Sequence, residues 1–215
     1  MRTIWMSAMM AVVVMSLADE GLAFPKPSLV PGPKDWTFHV VFDQPRQINL
    51  TLPGETQPKR FWYLILTLTQ APGAGEAPFY PACDLVTDSF KVIPAGKGIS
   101  KVVFDQIKRL HQGQYPFLEW IEHCNTKVLP GRDNARDVAI IWQDFDPKAK
   151  SVFLFISGLS NETVVIPHPV NKDTQGNPEK VLLRKTLALE YGIGGDATLR
   201  SVAGMSFKDK SWVLR

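Results

Sequence analysis

The chain has 215 residues and a formal net charge of +3, from 24 basic and 21 acidic residues that are interspersed along it. This length suffices for one large domain with a substantial core. No basic run or stripe stands out, so the charge pattern argues against a nucleic-acid-binding protein. The 17 prolines and 15 glycines indicate many turns and therefore a chain rich in β-strands.

The N-terminus has the layout of a cleavable secretory signal peptide. Arg2 supplies the positive charge, the apolar run Ile4–Leu17 follows, and small residues then allow cleavage after Ala18 or Ala23. The apolar run is short for a membrane span of about 20 residues. We therefore expect residues 1–23 to be a signal peptide and the mature protein to have no membrane span. The predicted location is secreted, periplasmic or within the cell envelope.

A proline-rich leader, residues 24–34, follows the signal peptide and is expected to be stiff and extended. A single domain is predicted for residues 35–215, since no further linker is visible. It begins with the alternating strand Trp36–Phe42. A turn at Asp43–Pro45 and a second strand at Gln47–Leu52 come next.

The strongest predicted strand is Arg60–Thr69, which contains neither Gly nor Pro. One of its faces is wholly apolar, and the other grades into the hydroxyls of Thr67 and Thr69. Such a pattern is typical of a central strand in a sheet that packs on a second sheet.

Beyond this strand the hydrophobic period changes once. Val103, Ile107 and Leu110 fall at helical spacing after Ser100, a good N-cap residue, so a short helix is predicted at Lys101–His111. About eight close strands with this one short helical insertion predict a mainly β protein, an antiparallel β-sandwich. The remaining predicted segments are the strands Cys83–Thr87, Phe90–Ile93, Asp137–Trp142, Ser151–Ile156, Thr163–Ile166, Val181–Tyr191 and Trp212–Leu214, an extended segment at Glu122–Val128, and a polar loop at His168–Lys180.

Six strings spread over most of the exported portion carry a resemblance. They are Asp43–Ile48, Phe61–Tyr63, Leu85–Asp88, Asp133–Asp137, Gly158–Glu162 and Leu183–Leu187. With these strings the chain resembles a group of uncharacterised secreted bacterial proteins that are common in planctomycetes. The resemblance implies an exported protein with an immunoglobulin-like β-sandwich, and it implies no catalytic residues. Cys83 and Cys124 are not part of its pattern.

These two cysteines are the only ones in the chain. An oxidising compartment permits a disulfide between Cys83 and Cys124, which would add about 4 kcal/mol in the chain-entropy model. The alternative is a pair of separate buried thiols that behave as small hydrophobes. The sequence leaves both interpretations open.

Motifs of the common enzyme classes are absent from the sequence. There is no Gly-x-Ser-x-Gly elbow, no His-Glu-x-x-His pair and no Cys-x-x-Cys pair. The glycine-rich segment Gly192–Asp196 follows a strand and opens no plausible helix, so it is interpreted as a turn. The sequence therefore predicts no catalytic residue and no cofactor site.

Two groups of side chains nevertheless resemble metal ligands. The densest cluster consists of His123 and Cys124 with Glu119 and Glu122, whose N, S and O donor atoms zinc accepts. Asp144 and Asp146 alternate in a loop, as calcium ligands do, but the rest of a calcium loop is missing. Adjacent residues of an extended chain point to opposite faces, so one ion could not easily use both His123 and Cys124. The two aspartates are interpreted first as solvated residues of a turn, and no metal ion is expected.

Tyr115, Phe117 and Trp120 are the most clustered candidates for an exposed aromatic binding face. The alternative is that these three rings cap the core. Together, the sequence predicts an exported, non-catalytic β-sandwich that serves envelope structure or binds a protein or glycan partner. The second hypothesis is an exported hydrolase or metal-binding protein that uses Glu119, Glu122 and His123, and the third is a calcium-stabilised adhesion-like domain.

Overall fold

The computed structural model describes residues 25–28, 32, 34–124, 126–195, 198 and 202–215. The predicted signal peptide and part of the predicted leader lie outside the described residues. The described protein is mainly β. Its strands, in chain order, are β1 (His39–Phe42), β2 (Arg46–Leu50), β3 (Lys59–Thr69), β4 (Ala77–Phe79), β5 (Ala82–Thr87), β6 (Val92–Pro94), β7 (Glu119–Trp120), β8 (Thr126–Val128), β9 (Arg136–Gln143), β10 (Ser151–Ser157), β11 (Thr163–Lys172), β12 (Pro178–Ile193) and β13 (Met205–Leu214).

The first sheet is built around β3, as the sequence predicts. Strand β9 pairs with β3 on one side, and β1 and β2 pair with it on the other. All of these pairs are antiparallel, whereas the two-residue β7 runs parallel to β9.

The predicted turn at Asp43–Pro45 is wrong, because the chain does not reverse there. Strands β1 and β2 run in the same direction along β3, as two halves of one edge. The N–H of Asp43 still donates to the Ile65 carbonyl at 3.0 Å. Pro45 has no N–H to donate, so the ladder is interrupted there while the strand direction is kept.

The second sheet is built around the 16-residue strand β12. On one side of β12 the next strands are β10, then β5, and β6 at the edge. Strand β11 pairs with the first half of β12, and β13 pairs with the second half, from Lys185 to Ile193. A separate two-stranded sheet joins β4 and β8.

The predicted loop at His168–Lys180 is also wrong, since most of it belongs to a β-hairpin. Strand β11 continues to Lys172, and β12 begins at Pro178. Asp173 makes the turn: its carboxylate accepts from the N–H groups of Gln175 and Asn177, both at 2.9 Å. The two arms are polar and solvent-exposed here, so they carry none of the alternation that signals a half-buried strand.

The two faces of β3 meet different layers. Phe42 lies opposite Leu66 on β3 and packs its ring 5.7 Å from Phe207 of β13, so this face meets the second sheet. The other face carries Tyr63, whose hydroxyl lies 3.0 Å from His111 in the helix. Burial of β3 on both faces explains the long apolar run in the sequence.

The predicted helix is confirmed with its predicted bounds, α1 (Lys101–His111). Ser100 is its N-cap, and the Ser100 hydroxyl accepts from the N–H of Val102 at 3.3 Å. The predicted extended segment at Glu122–Val128 is partly wrong, because a 3₁₀ helix covers Ile121–His123 before β8. A second 3₁₀ helix covers Arg132–Asn134. Among the described residues, no helix is both long and apolar enough to cross a membrane.

Candidate functional site

A buried ion pair lies where the leader meets the second sheet. Along β12 the inward positions are Leu183, Lys185, Leu187 and Leu189 in succession, so one ammonium group shares a face with leucines. Lys185 Nζ donates to Glu162 Oε2 at 2.8 Å, and the side chains are only 5% and 10% exposed. The Lys185 backbone N–H also donates to the Glu162 carbonyl at 2.9 Å.

Ser28 of the leader completes the polar contacts of this pair. Its N–H donates to Glu162 Oε1 at 2.6 Å, and its carbonyl accepts from Lys185 Nζ at 3.1 Å. Burial alone raises the pKa of Glu162, but the hydrogen bonds from Lys185 and Ser28 outweigh burial and hold this pKa below its ordinary value. Glu162 is therefore a carboxylate at neutral pH, and it fastens the leader to the domain.

A cleft of about 770 Å³ opens beside this ion pair, between the leader, the start of β1 and strand β13. We call it the leader cleft. Thr37 forms an isolated bridge with Ser160, which holds the entry to β1 close to Glu162. The described lining residues offer ammonium groups, hydroxyls and an indole, and no carboxylate; they are Lys26, Pro27, Ser28, Thr37, Lys185, Lys210, Ser211 and Trp212.

Aromatic rings hold two of the lining lysines in position. Trp212 lies opposite Leu187 across the ladder, and its ring centroid is 5.5 Å from Lys185 Nζ. Lys210, two residues earlier on the same face of β13, has its Nζ 5.5 Å from the centroid of Phe42. Cation–π attraction at such distances orders the ammonium groups, so the leader cleft presents positive charge beside an aromatic ring.

A second polar cluster joins the end of α1 to the interruption between β1 and β2. Tyr63 OH and His111 Nε2 are 3.0 Å apart, and Tyr115 OH donates to Asp43 Oδ2 at 3.2 Å. Burial, and next the Arg46 guanidinium, lower the pKa of His111, while burial raises the pKa of Tyr63. Tyr63 and His111 are only 4% and 7% exposed. The pair therefore fastens the helix to the sheet as neutral groups.

The predicted ligand cluster is divided among different contacts. Glu119 binds Arg136, which donates through Nε at 2.8 Å and through Nη2. His123 packs its ring edge-on, 5.0 Å from the ring of Trp120, and Glu122 is exposed. In the described part of the chain, no group of three or more His, Cys, Asp and Glu side chains could hold a metal ion.

The two loop aspartates accept hydrogen bonds from protein groups. Asp144 Oδ1 accepts from the indole N–H of Trp62 at 2.9 Å, and Asp144 Oδ2 accepts from Arg60 at 3.3 Å. Asp146 Oδ1 accepts from the N–H of Lys148 at 2.9 Å, and this hydrogen bond is the main cause of its lowered pKa. Their contacts are those of structural carboxylates in a turn.

The structure places Cys83 and Cys124 apart, as free and buried thiols. Cys83 lies in β5 of the second sheet, while Cys124 follows the 3₁₀ helix beyond β7 of the first sheet. Cys124 Sγ donates to the Trp120 carbonyl at 3.1 Å. Burial, and then the nearby Glu119 carboxylate, raise the pKa of Cys124 to about 12, and burial raises that of Cys83. Neither thiol is activated as a nucleophile.

The three aromatic candidates do not share one exposed face. Phe117 is 83% exposed, whereas Trp120 is buried and stacks on Phe104 with centroids 5.8 Å apart. Tyr115 is half-buried, and its hydroxyl is bonded to Asp43. An aromatic binding surface at this place would rest on Phe117 alone.

The sequence alone does not identify the residues of the leader cleft. It contains one signal of a buried polar contact, because Lys185 interrupts the leucine alternation of β12. A cation on an apolar face requires a buried partner, but the sequence does not show which carboxylate supplies it. Glu162 and Ser28 are remote from Lys185 along the chain, so only the folded structure identifies them.

Comparison of the chain with protein-family models, with curated proteins and with solved structures found no match. The site is therefore interpreted from its own geometry.

Proposed function

We propose that this protein is an exported, non-catalytic binding module of the cell envelope, an immunoglobulin-like β-sandwich that binds its partner in the leader cleft. The single observation that carries the proposal is the leader cleft itself, with Lys210 and Trp212 on one wall and Lys26 on the other. The signal-peptide layout of residues 1–23 supports export.

The dimensions and chemistry of the cleft favour binding. Its volume of about 770 Å³ falls in the range of roughly 300–1,000 Å³ that is usual for ligand sites. The lining groups are those that orient a ligand: ammonium groups, hydroxyls and one aromatic ring. General acid–base chemistry draws mostly on imidazole and carboxyl groups, and the described lining residues include neither.

The proposal is tested by sedimentation with envelope material. The purified exported form is mixed with insoluble envelope from the source cells, and the pelleted protein is measured before and after Lys210→Met and Trp212→Leu substitution. Lys208→Met is the matched control, because Lys208 lies on the same strand but pairs with Glu190 outside the cleft. The soluble phase is assayed for released sugars and peptides.

We expect the wild-type protein and the Lys208→Met control to sediment with the envelope, both cleft variants to remain largely soluble, and no product to be released. Equal sedimentation of all four proteins would contradict the role of the cleft. Release of sugars or peptides would contradict the non-catalytic assignment.

A further inference from the structure

We infer that the ligand of the leader cleft is an anionic carbohydrate, a chain of sugar rings that bear carboxylate or phosphate groups. This inference rests on the proposed function and specifies its ligand. The argument combines the charge of the cleft, its aromatic wall and its hydroxyl groups.

The charge of the cleft favours an anionic ligand. Lys185 is already neutralised by Glu162 at 2.8 Å. Among the described residues, however, no carboxylate lies within ion-pair distance of Lys26 or Lys210. Two ammonium groups therefore face the same cleft with no counter-charge from the described part of the chain, and an anionic ligand gains favourable Coulomb energy from both.

The aromatic and hydroxyl groups of the cleft favour a sugar as the ligand. Trp212 is half-buried at the wall, where its ring offers an apolar surface to the C–H groups of a sugar ring. Ser28, Thr37 and Ser211 place hydroxyl-bearing side chains around the same space. The Thr37 hydroxyl donates to Ser160 Oγ at 2.9 Å, so its remaining lone pair can accept from a ligand.

The size of the cleft separates this ligand from a simple ion. A free phosphate or carboxylate would need only the two ammonium groups and would leave most of the space of about 770 Å³ to water. A short saccharide fills the cleft and uses the charged, aromatic and hydroxyl groups together. Six of the eight described lining residues are lysine, serine or threonine, so the cleft suits a polar, charged ligand better than an apolar one.

The test is isothermal titration of the purified exported form with defined probes. They are trigalacturonate, the neutral trisaccharide made from it by carboxyl reduction, glucose 6-phosphate and inorganic phosphate. The variants are Lys210→Met and Trp212→Phe, with Lys208→Met as control and circular dichroism as the check of folding. The comparison of charged with neutral trisaccharide uses the wild-type protein alone, so it does not depend on any variant folding.

We expect trigalacturonate to bind at least tenfold more tightly than the neutral trisaccharide, with an affinity that falls as salt is added. Lys210→Met and Trp212→Phe each weaken this binding several-fold, whereas Lys208→Met leaves it unchanged. Tighter binding of glucose 6-phosphate than of trigalacturonate would identify phosphate as the anionic group.

Three results would overturn the inference. Equal binding of the charged and neutral trisaccharides removes the anion requirement. Phosphate binding as tight as that of the sugars identifies a simple anion site. Binding of neither trisaccharide nor glucose 6-phosphate, by a protein that still sediments with the envelope through its cleft, excludes a carbohydrate ligand while the binding function stands.

Discussion

Lys185 Nζ lies 2.8 Å from Glu162 Oε2, and both side chains are almost completely buried. The pair joins β12 to the residue before β11, and through Ser28 it also holds the leader. A buried ion pair adds little net stability compared with a well-packed apolar pair, but removal of one partner leaves a buried charge without compensation. Replacement of either partner should therefore destabilise the fold and disturb the cleft that the pair borders.

Replacement of Glu162 with Gln should therefore lower the free energy of unfolding by about 3 kcal/mol, because Lys185 loses its counter-charge in a buried place. Urea denaturation of the two proteins measures the difference. The double variant Glu162→Leu/Lys185→Met should recover most of the loss. The control is Lys127→Met at the exposed pair with Glu76, where the stability should change little because water screens the two charges. A loss of unfolding free energy in Lys127→Met as large as that in Glu162→Gln would contradict the role of the buried pair.

The Tyr63–His111 pair should make the fold sensitive to mild acid. Burial, and next Arg46, hold the pKa of His111 below its ordinary value in the folded protein. As the pH falls below about 6.5, the unfolded chain binds a proton that the folded protein does not. The stability contributed by neutral His111 is thus complete above that pH and is lost as the pH falls through the folded pKa.

Urea denaturation at pH 8, 6.5 and 5 tests this dependence on the wild-type protein and on His111→Gln. We expect the variant to lose less stability between pH 8 and pH 5, because glutamine does not titrate. His39→Gln, at an exposed position in β1, should keep the wild-type dependence. If the stability of His111→Gln depended on pH as that of His39→Gln and of the wild type does, the result would contradict a buried, neutral His111.

Cys83 and Cys124 should react only after unfolding. Burial raises the pKa of both thiols, so the folded protein contains little reactive thiolate. A thiol reagent added without reductant should modify neither cysteine at neutral pH and both in concentrated denaturant. A denatured chain that has no titratable thiol and is two hydrogens lighter would show instead that the two cysteines are bonded.

Tyr191→Phe should stabilise the protein by about 1 kcal/mol. The side chain is fully buried, and its hydroxyl has no hydrogen-bond partner among the described residues. Removal of an unsatisfied buried hydroxyl removes its desolvation cost and leaves the packing unchanged. Tyr63→Phe is the opposite control, because the Tyr63 hydroxyl is paired with His111 and its loss should destabilise. A destabilised Tyr191→Phe variant would contradict this description of the core.

The elements with strong local signals were predictable from the sequence. Helix α1 has a capping serine and a helical apolar period, and both are present in the structure. Strand β3 has an apolar run without Gly or Pro, and it forms the centre of the first sheet. In both segments the local preference and the tertiary contacts agree.

The exposed hairpin and the candidate site depend on contacts that local patterns do not encode. The arms near Lys172 and Pro178 have few apolar residues to alternate, so their pairing is invisible until the turn at Asp173 is seen. The leader cleft forms because Ser28 reaches Glu162 and Lys185, which are more than 130 residues further along the chain. In the sequence, the one signal of this contact is Lys185, which interrupts the alternating leucines of β12.

The most direct test of the central claim is hydrogen exchange of the protein without residues 1–23, measured by mass spectrometry with and without soluble envelope fragments. We expect added protection in peptides that contain Ser28 and in peptides that contain Trp212, and no change at the hairpin turn around Asp173. Ser28 and Trp212 are widely separated in sequence, and both line the leader cleft. Protection centred on the exposed Phe117, or on the hairpin, with none at Trp212, would contradict the leader cleft as the binding site.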